Sequence, residues 1–280
     1  MHIQYWGYLK REKLAWACLG IILIFFLLAI FPFWMAPYPE GDYVTSPFLT
    51  YNLRHILGTN DLGQDILSEV IWGARYTLWI GFGCALLGTF IAILFSFLAT
   101  TMGWAMEQVL MRFVDLMITI PSLLLIILFG VYIEVDAVRL ILLLSFFLWA
   151  HSTRIFREKI KETLTKPYVR YAEGLGAKRP YLLIRHVLPE LYPLIMLAVV
   201  RKFKMGVFLE AIASFLGVCA FEGKSWGGML RNALEYPGFP NWWSWLLGPS
   251  VALSLLLISL GVLGAMMEEM VEPRLRRQQG

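Results

Sequence analysis

Tyr76-Thr77-Leu78-Trp79-Ile80-Gly81-Phe82-Gly83-Cys84-Ala85-Leu86-Leu87-Gly88-Thr89-Phe90-Ile91-Ala92-Ile93-Leu94-Phe95-Ser96-Phe97-Leu98-Ala99-Thr100-Thr101-Met102 runs without a single acid, lysine, arginine or histidine. About 20 apolar residues in helical form cross a hydrocarbon layer roughly 30 Å thick, and this stretch is long enough. Working outward, five further apolar segments meet or approach the same length: Leu14 to Met35, Val109 to Ile133 through Pro121, the shorter Val138 to His151, Pro193 to Gly217, and Trp245 to Met267. The expected fold is therefore all-α, a polytopic membrane protein of about six transmembrane helices. Helices satisfy their own backbone groups in lipid, and the short alternating strands of a barrel are missing from the sequence. Composition agrees: 59% of the 280 residues are apolar and 16% charged, where soluble chains carry about 25% charge. Disorder is excluded by the 15% aromatic content. Cys18, Cys84 and Cys219 show no disulfide or metal spacing.

The net charge of +4 raises the question of nucleic acid, but its distribution answers it. Segment 152–190 holds nine of the 24 basic residues, Arg154, Arg157, Lys159, Lys161, Lys166, Arg170, Lys178, Arg179 and Arg185, against four acids. By the bias of Lys and Arg toward inner loops, this segment is cytoplasmic. With six spans both termini fall on the same side, near Lys10, Arg11 and Lys13 and near Arg274, Arg276 and Arg277. The outer segments Ala36 to Arg75 and Val218 to Ser244 are poor in cations. The first helix is long and Trp34-Met35-Ala36-Pro37 lacks a small-x-small site, so an uncleaved helix is expected. The expected organisation is 1–75 (tail, first helix, external segment), 76–272 (a core of five helices with the inner loop at 152–190) and 273–280 (inner tail). No nucleic-acid partner is expected; the bilayer is.

Within the basic segment, Thr165 to Lys178 has the character of a short amphipathic helix, with Pro167 suited to its first turn and Gly176 to its C-terminal cap. Ile184-Arg185-His186-Val187-Leu188-Pro189 suits a turn back into the bilayer. Such a loop reads equally as a docking element or as a solvated loop held to anionic lipid.

Ala172, Gly176 and then Leu188-Pro189 resemble the EAA loop of binding-protein-dependent ABC importers, Glu-Ala-Ala, three residues, Gly, nine residues, Ile-x-Leu-Pro. His55 to Ser68 with Gly73-Ala74-Arg75, Met111 to Asp115 with Ile120 to Leu124, and Ser214 to Gly217 with Ser225 to Leu230 are similar to stretches of the peptide/nickel branch, in its dipeptide/oligopeptide C-subunit type. The resemblance implies the type I permease fold and a bacterial or archaeal inner-membrane location. It also implies a second homologous permease, two ATPase subunits that dock on the loop, and an external substrate-binding protein. The implied ATPase-docking residues are Arg170, Tyr171, Ala172, Gly176, Leu188 and Pro189. Arg170 and Tyr171 depart from the pattern's Glu and Ala, and His186 from its Ile. Gln64 and Glu69 stand where the external motif is usually basic.

The chain itself is not expected to be an enzyme. Gly223-Lys224-Ser225 lacks the glycine a phosphate loop needs at position 218, where Val218 stands, and no zinc or nucleophile motif occurs. No cofactor is expected in this chain; ATP and magnesium belong to the ATPase partners. The histidines His2, His55, His151 and His186 are scattered, and hydrogen-bonded or interfacial roles suit them best.

The fifth span carries Arg201, Lys202, Lys204 and Glu210. Ionisable groups inside a span tend to face the bundle interior or a water-filled path. Arg201, Lys204 and Glu210 are the expected path residues, with Lys202 expected to snorkel. For Arg112 and Asp115 in the third span a structural ion pair is expected. A peptide permease is the leading function. Permeases for nickel or metal chelates, or for cationic peptides or polyamines, are alternatives; a stand-alone secondary carrier is the alternative of another class, though no internal repeat is found.

Overall fold

The computed structural model describes residues 13–132, 135–219 and 223–271. Among these every regular element is helical: α1 (Lys13–Ile30), α2 (Pro32–Met35), α3 (Ile66–Thr101), α4 (Trp104–Thr119), α5 (Ser122–Tyr132), α6 (Ala137–Leu164), α7 (Pro167–Gly174), α8 (Arg179–Leu182), α9 (Leu188–Phe215), α10 (Trp226–Glu235) and α11 (Trp242–Val271). Five helical stretches are long and apolar enough to span a bilayer, and α4 with α5 makes a sixth if the bent pair counts as one. The helices leave Leu23, Trp79, Phe90, Leu124, Leu142 and Ile258 exposed around the bundle, as a lipid-facing surface requires.

The third span is not one helix. α4 and α5 meet at 76°. Pro121 has no N–H to continue the ladder and drives the preceding residue out of helical geometry; Ile120 lies extended at φ −81°, ψ 123°. The second span begins at Ile66, ten residues before Tyr76, because Asp65 caps it, accepting from the Ser68 N–H. The fourth runs to Leu164, so the first third of the basic segment is helix and not loop. The first ends at Ile30, and α2 is a separate turn starting at Pro32. Ile184 to Pro189 does not turn back. Leu183–Val187 forms a wide π turn joining α8 to α9, with the Leu188 N–H reaching the Leu183 carbonyl. Pro189 contributes no donor at this place, which suits a widened turn.

α3 is the central helix, packed by α6 and α9. Its crossing with α9 is a contact of backbones: a Cβ on Gly206 would lie 3.1 Å from Gly81 Cα, and one on Gly81 would lie 2.5 Å from Val207 Cγ2. Without side chains at both positions the helices approach closely, which is how packing holds helices together in lipid. Three apolar clusters fill the bundle: one around Leu78, Phe203, Trp226 and Leu256, a second around Ile80, Leu140, Leu144 and Leu209, and a third around Trp149, Phe156, Val187 and Leu191.

Candidate functional site

At the end of the bundle that carries the basic segment, Pro167 opens α7 and Gly176 closes it. Gly176 has φ +93°, and the N–H groups of Gly176 and Ala177 bond the carbonyls of Glu173 and Ala172 at 2.9 and 3.1 Å. This is the Schellman arrangement, and it needs a residue free to adopt positive φ. α7 turns Val169 fully inward. Tyr168, Tyr171 and Leu175 form an outer stripe, with Tyr171 72% and Leu175 74% exposed. Arg170, also exposed, lies on a different face with Glu173 and Gly174.

The short helix is held to the bundle by Glu190, in the first turn of α9. Its carboxylate accepts from Thr163 Oγ1 at 3.1 Å, from Lys166 Nζ at 2.5 Å and from the Tyr168 hydroxyl. The Glu190 contact pushes the Tyr168 phenol up to about 12. One carboxylate thus joins α9, the end of α6 and both ends of the turn into α7. Leu188 is half-buried and Pro189 exposed beside it, and Ala172 is half-buried. Motif reading missed Glu190, although it directly follows Leu188-Pro189. A second tie at this end is Glu107 of α4, which accepts from Arg157 Nε at 2.6 Å and also pairs with Lys161. Asp115 pairs with Arg154 of α6, and Arg112 is exposed with no ion pair among the described residues. The partner expected for Asp115 from its own helix is replaced by one across the bundle.

The path residues of the fifth span are not brought together. Arg201 pairs with Glu268 of α11, and Lys204 is exposed near Gly261. Both lie on the outer stripe of α9 with Met205 and Phe208. Glu210 is on the opposite face and fully buried; its Oε1 accepts from Ser214 Oγ at 2.8 Å, and the Thr77 and Ser225 hydroxyls lie close by. Lys202 does not snorkel. It is 4% exposed, and its amine donates to Ser152 Oγ of α6 at 2.5 Å.

At the other end, residues 36–65 fold into a compact cap. Asp65 accepts from the α3 N-terminus and meets His55 Nδ1 at 3.0 Å, while the His55 ring stacks on Tyr38. A Cβ on Gly63, at φ +77°, would strike the Thr45 carbonyl. Asn60 donates to Gln64 at 2.8 Å and to Glu69 at 2.8 Å, and Lys224 donates to the same two residues. The loop before α10 thus supplies the cation of this cluster. Phe48 stacks on Phe239, and Asn241 donates to the Leu57 and Thr59 carbonyls, so the two outer segments pack on each other.

A long-helix bundle in lipid with a capped short helix at its basic end defines a multi-pass membrane protein. Residues 88–277 match the family described as the binding-protein-dependent transport system inner membrane component, and residues 3–53 match the N-terminal TM domain of oligopeptide transport permease C. The chain belongs to the first of these families, and is a permease subunit of an ABC transporter in the inner membrane. It is 28% identical to the dipeptide transport system permease protein DppC of Bacillus subtilis (97% of this chain, 85% of the relative). It is 28% identical to the oligopeptide transport system permease protein OppC of the same organism (96% and 88%), and to DppC of Escherichia coli K12 (98% and 93%).

Proposed function

We propose that this chain forms half of a translocation path for peptides, paired with a second homologous permease and driven by two separate ATPase subunits that receive substrate from an external binding protein. In this reading the basic end is cytoplasmic, together with both termini, and residues 36–65 and 223–241 face the binding protein. The observation that carries it is the Glu190 anchorage of α7. A short helix offering Tyr168, Tyr171 and Leu175 outward, and fixed by a carboxylate to the first turn of a spanning helix, is built to receive force and pass it on. ATP and magnesium act in the partners, and this chain hydrolyses nothing. Closure of the ATPases moves the 170–189 region, including Arg170, Tyr171, Ala172, Gly176, Leu188 and Pro189, as a lever. Glu190 carries the displacement into α9, whose outer stripe with Arg201 and Lys204 faces the path. Glu210 acts from behind that stripe, holding α9 against α3 and the start of α10.

Peptides are the substrate class favoured by the relatives' names and by their coverage of almost the whole chain. The test is purification followed by reconstitution in vesicles with the candidate binding protein. ATP-dependent uptake of a labelled dipeptide, with two ATPases and a second permease co-isolating, is the expected result. Uptake of a nickel chelate or polyamine in its place, or activity of the solitary chain, would overturn it.

A further inference from the structure

A groove of about 770 Å³ opens at the basic end between the α3–α4 turn, the end of α6 and α7. Trp104, Glu107, Lys161, Arg170, Glu173 and Arg179 stand around it. We propose that this groove binds the phosphate head group of an anionic phospholipid.

The charges are unevenly satisfied. Glu107 is already held by Arg157 and Lys161. Glu173 has Arg179 at 3.9 Å. Arg170 has no acidic partner among the described residues, although its guanidinium is suited to bidentate contact with phosphate oxygens. Three cations against two acids, one acid doubly neutralised, leave the groove positive.

The position is that of a lipid head group. α3 ends at Thr101, the first charge after its uncharged run is Glu107 in the groove itself, and between them Met102 and Trp104 are 55% and 76% exposed. A tryptophan there is typical of the membrane–water boundary. Thr100 and Gly103 line the groove as well, so its floor is the end of the spanning helix α3. Basic pockets beside spanning helices at this depth bind acidic head groups. The apolar stripe of Tyr168, Tyr171 and Leu175 lies on another face of α7, so a lipid beside Arg170 and a protein on the stripe do not compete. The inference does not depend on peptides being the substrate, but it assigns to lipid the Arg170 side chain that the proposed function places in the ATPase-driven lever, and it leaves Tyr171 and Leu175 for the ATPase.

The test is native mass spectrometry of the whole transporter complex after detergent extraction, with phosphatidylglycerol and phosphatidylcholine supplied in equal amounts. Phosphatidylglycerol adducts are expected to exceed phosphatidylcholine adducts about fivefold or more. Arg170→Gln with Arg179→Gln should abolish that preference, whereas Arg231→Gln at the other end of the bundle should keep it. Equal retention of the two lipids, or an unchanged preference in the double variant, would overturn the site. So would release of the ATPases by Arg170→Gln with the lipid preference intact, since the groove would then belong to the ATPase contact.

Discussion

Lys224 and Glu69, 155 positions apart, form an ion pair that joins the loop before α10 to the first turn of α3. Gln64 shares the same ammonium and Asn60 the same carboxylate. The Glu69 side chain is 5% exposed and that of Lys224 28%, so removing one partner strands a mostly buried charge.

Lys224→Met and Glu69→Gln are each expected to destabilise the outer end, Lys224→Met by about 2 kcal/mol, below the 3–5 typical of fully buried pairs because Lys224 is partly hydrated. The exchanged pair Glu69→Lys with Lys224→Glu should recover a large part of the loss. Thermal unfolding of the four proteins measures the coupling; additive losses in the double variant would show that the two side chains do not interact.

Glu190→Ala removes the acceptor for Thr163, Lys166 and Tyr168 together. Substrate-stimulated ATP hydrolysis and uptake are expected to fall roughly tenfold while the complex still assembles, an effect of about 1.4 kcal/mol on the coupled step. Tyr168→Phe removes one donor and should cost less. The Tyr168 phenol is raised from about 10 to about 12. Its contribution is therefore fully present below pH 10 and is lost as pH rises through 12. Stability curves of the wild type and Tyr168→Phe should run parallel from pH 7 to roughly 9.5 and converge only above pH 10.

Gly176 meets nothing within 4 Å of where a Cβ would stand, so a substitution there is felt through the backbone alone. Gly176→Ala is expected to cost about 1 kcal/mol of α7 docking, Gly176→Asn less and Gly176→Val more, following tolerance of positive φ. Protease susceptibility of the 165–180 segment should follow that order.

Gly81→Ala drives a methyl into Val207 Cγ2, and the expected loss of stability is about 1–3 kcal/mol. Val207→Ala in the same chain opens the space and should restore most of it. Gly206→Ala meets backbone instead, and Val207→Ala should leave it unrelieved. Melting temperatures of the single and paired variants separate these cases.

Lys202→Met keeps the length of the chain against Gly88 and removes a buried ammonium, so assembly and stability should be unchanged or improved. Ser152→Ala leaves the ammonium without its acceptor and should cost about 1–3 kcal/mol. A larger loss in Lys202→Met than in Ser152→Ala would contradict this account.

The helical spans, their approximate number, the crowding of cations into 152–190 and the α7 helix with its Pro167 start and Gly176 end were all legible in the residues. These features depend on composition and near neighbours: apolar length against bilayer thickness, a proline without an N–H, a glycine tolerant of positive φ. The 76° break at Ile120-Pro121 was legible in part, since Pro121 announces a disturbance but not whether the chain bends or merely kinks. The partners were not legible. Asp115 takes Arg154 over the nearby Arg112, Lys202 turns inward to Ser152 while Arg201 and Lys204 turn outward, and Lys224 reaches across from the loop before α10 to Gln64 and Glu69. Each of these depends on which helix faces lie opposite one another. Those faces are decided by close approaches such as Gly81 on Gly206, a property of the packed bundle and of no single segment.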